Sequence, residues 1–278
     1  MAVFQPAKTG LGALIPRYTR SEIDRIRLAG AIVHQVQRAL EAEIGPGVTT
    51  AELDALAEST IRRAGGEPAF KGYHGFPASI CTSINAEAVH GFPRPEPLSE
   101  GDLLCIDVGI RLEGWYGDGA FTLSVGEPVP PVRNLMEATR TALAAAVAAA
   151  QVGNRLSDIS HAVESAARDA GVHVLRDYGG HGIGRELHGE PHIPNYGGPG
   201  RGPLLEAGQV FALEPIFGLG TGEVAVDKDG WTVLTVDGSP AAHFEHTVAL
   251  TEQGPEILTL PSSDSTVAEA SRTAVQAR

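Results

Sequence analysis

Cysteine is nearly missing from this chain, and its two thiols, Cys81 and Cys105, cannot build a disulfide framework, a Cys-x-x-Cys zinc ribbon or a redox pair. A reducing, cytoplasmic location is therefore expected. Long hydrophobic runs are also missing. The longest, Ala142 to Ala150, is far short of a membrane span, and Met1 to Arg20 holds no basic region followed by an apolar stretch, so no export signal or membrane partner is expected. Positive charge is in the minority, 21 Lys and Arg against 34 Asp and Glu. The resulting net −13 repels phosphate backbones and argues against a nucleic-acid partner. Only three lysines occur, Lys8, Lys71 and Lys228, and none follows a glycine. That excludes a Walker-type phosphate loop, and no Gly-x-Gly-x-x-Gly follows a strand-like segment.

What is present is enough apolar residue, 42% of 278, to bury one full core or two modest ones. Ser21-Glu22-Ile23-Asp24 opens an amphipathic helix running to about Glu43, and Thr49-x-x-Glu52 reads as a capping box for a second helix ending at Gly65-Gly66. Strand-like segments follow at Ser79 to Ile84, Leu103 to Arg111 and Trp115 to Val125. The order then recurs: helices over Leu135 to Val152 and Leu156 to Ala170, then strand-like runs Val210 to Phe217, Thr232 to Val236 and His243 to Thr251. Two helices followed by strands, repeated at an offset of roughly 110 residues, predict an α+β fold of two similar halves sharing one core. The expected boundaries are an N-terminal extension over 1–20, a single domain over 21–258 with halves 21–127 and 128–258, and a tail without periodic structure over 261–278. Tyr178 to Gly184 and Tyr196 to Gly202 read as glycine-rich loops.

Four carboxylates stand where charge is costly. Leu103-Leu104-Cys105-Ile106-Asp107-Val108 is apolar on both strand faces, yet carries an aspartate. Asp118 lies on the next segment, and a turn near Leu112-Glu113 would set the two aspartates directly opposite each other. Glu214 in Phe211-Ala212-Leu213-Glu214-Pro215 and Glu245 in His243-Phe244-Glu245-His246 repeat the anomaly in the second half. Facing like charges must share a proton or hold a cation between them. Four carboxylates with an imidazole suit two adjacent divalent ions and a bridging water whose pKa falls towards neutrality. Cobalt, manganese, iron, nickel and zinc are all compatible with oxygen-rich ligation and one histidine.

Histidine spacing alone decides less. His188 and His192 are four apart, but Gly189 and Pro191 forbid the helix of a His-Glu-x-x-His site. His34, His161 and His173 lie on or beside helices, where a surface role suffices. His181 differs, because the surrounding Gly179-Gly180-His181-Gly182-Ile183-Gly184 lets backbone and ligand approach closely.

From about Arg20 to Leu258 the chain resembles the type I methionine aminopeptidases. The resemblance is carried by Tyr73-His74-Gly75-Phe76-Pro77, Ser83-Ile84-Asn85, His90-Gly91-Phe92-Pro93, Ile106-Asp107-Val108, Gly117-Asp118, Gly180-His181-Gly182-Ile183-Gly184, His188-Gly189-Glu190-Pro191, Glu214-Pro215 and Phe244-Glu245-His246-Thr247. It implies the two-halved pita-bread fold, with a central, curved, mainly antiparallel sheet covered by helices. The implied activity is removal of N-terminal methionine from peptides and nascent proteins whose second residue is small, through a hydroxide bridging two divalent metals.

The same resemblance implies that Asp107 binds one metal, Asp118 and Glu245 bridge both, and His181 and Glu214 complete the other. It makes Glu214 the proton acceptor and later donor, sets His90 against the scissile amide, and has His188 steady the tetrahedral intermediate. Tyr73, His74, Phe76, Cys81, Leu187 and Trp231 match positions lining the methionine pocket. Leu187 stands where the family commonly has Phe, and Gly119-Ala120 replaces the more usual pair after the bridging aspartate. The stretch between His188 and Glu214 is too short for the type II insertion. A monomer with at most a transient ribosome contact is expected. The rivals are a proline-directed exopeptidase of the same fold, which usually carries a large extra N-terminal domain, and a non-catalytic binding module, which typically lacks some of the ligands.

Overall fold

Both helix-start signals in the first half work as capping devices. Helix α1, Arg20–Glu43, begins where the Glu22 carboxylate accepts the Thr19 N–H at 2.9 Å. Helix α2, Thr50–Arg63, is closed by a reciprocal box: Glu52 accepts the Thr49 N–H at 2.9 Å, and the Thr49 hydroxyl accepts the Glu52 N–H at 3.1 Å. In the second half α3 spans Pro130–Ala149, starting earlier than Leu135 because Pro130 and Pro131 lack only N–H groups that a first turn leaves unpaired anyway. Helix α4, Leu156–Ala170, ends on Gly171, whose φ of 69° is the left-handed stop that glycine adopts without strain. The chain is described here by a computed structural model over residues 14–261. Most of the extension expected over 1–20, and all but the first residue of the tail expected over 261–278, lie outside the described residues.

The helices pack on antiparallel sheets, so the fold is α+β. In the first half the strand Leu103–Leu112 pairs with Cys81–Ile84 and Glu67–Pro68 on one side and with Trp115–Ser124 on the other. In the second half the strand order is Gly254–Ile257, His246–Thr251, Val210–Leu213, Gly179–Gly182, Gly189–Pro194. Ile106, Val108, Ile110, Phe211 and Val248 point into one continuous core with Val33, Val36, Leu40, Leu135 and Leu143 of the helices. Helix α1 lies hard against the first-half hairpin, because a Cβ on Gly117 would come within 2.7 Å of the Gly30 nitrogen. Among the described residues, no helix is long and apolar enough to cross a membrane.

Three local expectations need correction. The hairpin turn is Glu113-Gly114, with φ values of 50° and 79°, one residue later than supposed. Moving a turn by one residue moves the pairing by two. Asp118 therefore faces Gly109, Asp107 faces Ala120, and the aspartates meet diagonally on the same face of the sheet. The Tyr178 to Gly184 loop is in fact a strand over Gly179–Gly182, held between Val210–Leu213 and Gly189–Pro194. Glycine is used there for closeness, since a Cβ on Gly182 would lie 1.9 Å from the Glu190 carbonyl oxygen. Finally, the runs Val210 to Phe217 and His243 to Thr251 are both broken. Val210–Leu213 gives way to Ile216–Gly218 in another sheet, and Ala241–His243 precedes His246–Thr251 in the same way. Pro215, which has no N–H to give to a ladder, sits in the first break.

Two threonines stitch the halves together. The Thr247 hydroxyl accepts the Asp118 N–H at 3.0 Å and donates to the Asp118 carbonyl at 2.8 Å, so one side chain satisfies both backbone groups of a buried residue. Thr122 does the same for His243, at 2.9 and 2.7 Å. Thr247→Val keeps the shape but strands the Asp118 N–H and carbonyl in the interior. We expect a loss of about 1–3 kcal/mol for an unsatisfied buried group, read as a lower urea midpoint with unchanged m-value.

Candidate metal centre

The breaks in the second half bring its two acids together. Leu213 pairs with His246 and Ile216 with His243, so Glu214 and Glu245 stand opposite each other in the gap between the ladders. The directly facing like-charged pair expected at Asp107 and Asp118 is found here instead. Asp118 reaches the same cavity from the first-half hairpin, as does Asp107, and His181 arrives on the glycine strand.

Among the described residues the ligand-bearing atoms form three overlapping groups: Asp107, Asp118 and Glu245; His181, Glu214 and Glu245; and Asp118, His181 and His188. Within each group the atoms lie within 4.8 Å of one another, so each could hold a metal ion. Asp118 and Glu245 are each 2% exposed and His181 is 3% exposed, so bulk water screens the acids poorly. Burial pushes the Asp107 carboxyl up to about 7, with hydrogen bonds to Asp118 and the Val108 N–H pulling back. Asp118, Glu214 and Glu245 are driven well above the ordinary carboxylate range, first by burial and then by the charges of neighbouring acids. Burial lowers the imidazoles, His90 and His181 to about 4, and holds them neutral with a lone pair available.

The residues present fit divalent cations. Asp107 Oδ1 and Glu245 Oε1 are buried with no hydrogen-bond partner among the described residues, the condition of an oxygen placed to meet a cation. His181 is already in the right tautomer: its Nδ1 lies 3.0 Å from the Gly182 carbonyl, which can only accept. The proton is thus on Nδ1, and the Nε2 lone pair is turned to Glu214 Oε1 at 3.5 Å.

The other residues singled out by the sequence fall around this cluster. His90, held at a left-handed φ of 62°, and His188 line the same cavity. His188 Nδ1 is 3.1 Å from the Tyr73 hydroxyl, and its ring stacks edge-on with His181 at 4.5 Å. An apolar cluster containing Phe76, Cys81, Leu187, Tyr73 and Trp231 adjoins it. Phe76 meets Trp231 edge-on at 5.2 Å, and Cys81 pairs in register with Asp107. His74 alone is exposed, beside Tyr73 at 4.4 Å. Sequence reading missed Tyr178, Val89, Ile216 and His243, which also line the cavity. The signal for His243 was available, since it lies two residues before Glu245 on the same strand-like run.

Residues 24–252 match the metallopeptidase family M24, and the chain belongs to that family. Its likeness within the family is to proteins named methionine aminopeptidases. Methionine aminopeptidase 1 of Mycobacterium tuberculosis is 50% identical over 254 residues, covering 89% of this chain and 96% of the relative. The crystal structure of the Thermotoga maritima methionine aminopeptidase superposes with a TM-score of 0.88 at 43% identity, covering 89% of this chain and all of that one. The prolidase of Pyrococcus furiosus superposes less well, with a TM-score of 0.69 at 26% identity and only 66% of its own chain covered. The two-halved arrangement described above is the pita-bread fold of these structures.

Proposed function

We propose that this chain is a methionine aminopeptidase whose single catalytic domain spans 21–258. It acts in the cytoplasm on peptide and nascent-protein N-termini with a small second residue. The observation that carries the reading is the convergence of two acids from each half with a neutral imidazole in overlapping groups of donor atoms. In this reading Asp107, Asp118, Glu214, Glu245 and His181 hold two divalent cations, with cobalt and manganese the first to test. Bound cations would supply Lewis acidity, lowering the pKa of water and polarising a carbonyl oxygen.

The chain's own residues do the rest. Glu214 takes a proton from the attacking water and returns it to the leaving amine, the exchange expected of a carboxylate in a poorly solvated site. His90 hydrogen-bonds the scissile amide, and His188, steadied by Tyr73, donates to the oxyanion developing at the carbonyl. The methionine side chain is taken by Tyr73, Phe76, Cys81, Leu187 and Trp231, where thioether and aromatic edges make favourable contacts. His74, exposed beside Tyr73, bounds that pocket at its rim in this reading.

The test is a peptide panel with added manganese or cobalt. Met-Ala-Ser peptides should release methionine and Met-Lys peptides should stay intact. Cleavage of X-Pro dipeptides at the same rate as Met-Ala peptides would favour the proline-directed reading and overturn this one.

A further inference from the structure

His243 is unlike the other imidazoles of the cavity. Its backbone is pinned on both sides by Thr122, it is 2% exposed, and its Nε2 is buried with no hydrogen-bond partner among the described residues. Two carboxylate oxygens face that nitrogen, Glu214 Oε2 at 3.7 Å and Glu245 Oε2 at 3.8 Å. These distances are too long for hydrogen bonds, but a shift of well under an ångström would make one.

The two oxygens of Glu214 have different neighbours. Oε1 faces His181 Nε2, which carries a lone pair because its Nδ1 proton is committed to Gly182. A cation belongs where such lone pairs converge, which leaves Oε2 turned towards His243. His243 itself belongs to none of the three groups of mutually close donor atoms found among the described residues. A further ligand is therefore the poorer reading, and a proton donor to the ligands the better one.

We infer that His243 is a positioning residue whose Nε2–H holds the Glu214 and Glu245 carboxylates in the orientation that binds divalent cations. This rests on the proposed function, which makes both glutamates ligands. Hydrogen bonds to ligating carboxylates from outside the coordination sphere restrict how the carboxylate can turn, and losing one typically weakens metal affinity about 10–100-fold.

The experiment compares the parent with His243→Gln, which keeps an N–H at similar reach, and His243→Leu, which keeps bulk without a donor. Manganese and cobalt affinities are measured by calorimetry with chelator competition, alongside the visible spectrum of the cobalt-loaded protein and the unfolding midpoint of cation-free protein. His243→Leu should bind about 10–100-fold more weakly with an altered cobalt spectrum, while its cation-free midpoint is not lowered. His243→Gln should restore affinity and spectrum.

Parent-like affinity and spectrum in His243→Leu would overturn the inference. So would equal weakening in both variants, which marks a packing role. If His243→Leu does not fold, His243→Asn, whose shorter donor falls short of the glutamates, must show the same weakening, and parent-like affinity in it counts against the inference. A parent that binds neither cation would instead overturn the proposed function, and this inference with it.

Discussion

Asp118→Ala is expected to abolish turnover and to lower the number of divalent cations held per chain. The side chain is buried between Asp107 and Glu245, and it belongs to two of the three groups of donor atoms. Its backbone is held independently by Thr247, so truncation beyond Cβ leaves the strand in place. The loss should exceed the roughly 100-fold ceiling typical of an outer hydrogen-bond partner, because in the proposed reading Asp118 is itself one of the donors to the cations. Activity on Met-Ala-Ser peptides and metal content by elemental analysis check this together. Full activity at unchanged metal content would remove Asp118 from the site.

The opposite sign is expected for stability when one acid is neutralised in cation-free protein. Asp107, Asp118, Glu214 and Glu245 all have carboxyl groups pushed upwards by burial and by neighbouring acids, so the folded state holds them at a cost. Glu245→Gln removes one buried ionisable carboxyl, keeps the shape, and adds an amide N–H donor beside acceptors. The cation-free variant should unfold at a higher urea concentration, with a gain of about 0.5–2 kcal/mol, the size typical of a single stabilising substitution. The parent, but not the variant, should regain that stability on adding manganese at a large excess over its dissociation constant. A cation-free variant less stable than the parent would mean that the acids do not repel one another.

Much of this architecture is legible in the residues, for physical reasons. Thr49 and Glu52 announce a helix start because the reciprocal hydrogen bonds that cap it are local, and both bounds of α4 are visible in the sequence because its amphipathic pattern ends on Gly171. The misplaced acids were legible because a charge inside an apolar strand needs a partner whatever the tertiary fold. What depends on tertiary closeness was not. The Gly179–Gly182 strand has the composition of a loop, and only the approach of the Glu190 and Ala212 backbones explains its glycines. The register of Asp107 and Asp118 turned on one residue of a Glu-Gly turn, which lacks the Asn-Gly or Asp-Gly signature that would have centred it. The opposition of Glu214 and Glu245 arises from two matched strand breaks far apart in the chain, a pairing that no local pattern displays.

The chain accounts for nearly all of the methionine aminopeptidases it resembles but for only part of the prolidase. In the proposed reading the apolar cluster beside Asp107, which holds Leu187 at 2% exposure, takes the first side chain of the substrate. Leu187→Phe is expected to narrow that pocket and reduce kcat/KM for the longer norleucine side chain relative to alanine at the first position. Unchanged ratios across a panel of first residues would place Leu187 outside the pocket.

One diffraction experiment bears most directly on the metal centre. Crystals grown with manganese should give two anomalous peaks per chain, enclosed by the carboxylates of Asp107, Asp118, Glu214 and Glu245 and the Nε2 of His181. Peaks confined to surface acids, with that cavity holding no anomalous scatterer, would contradict the account.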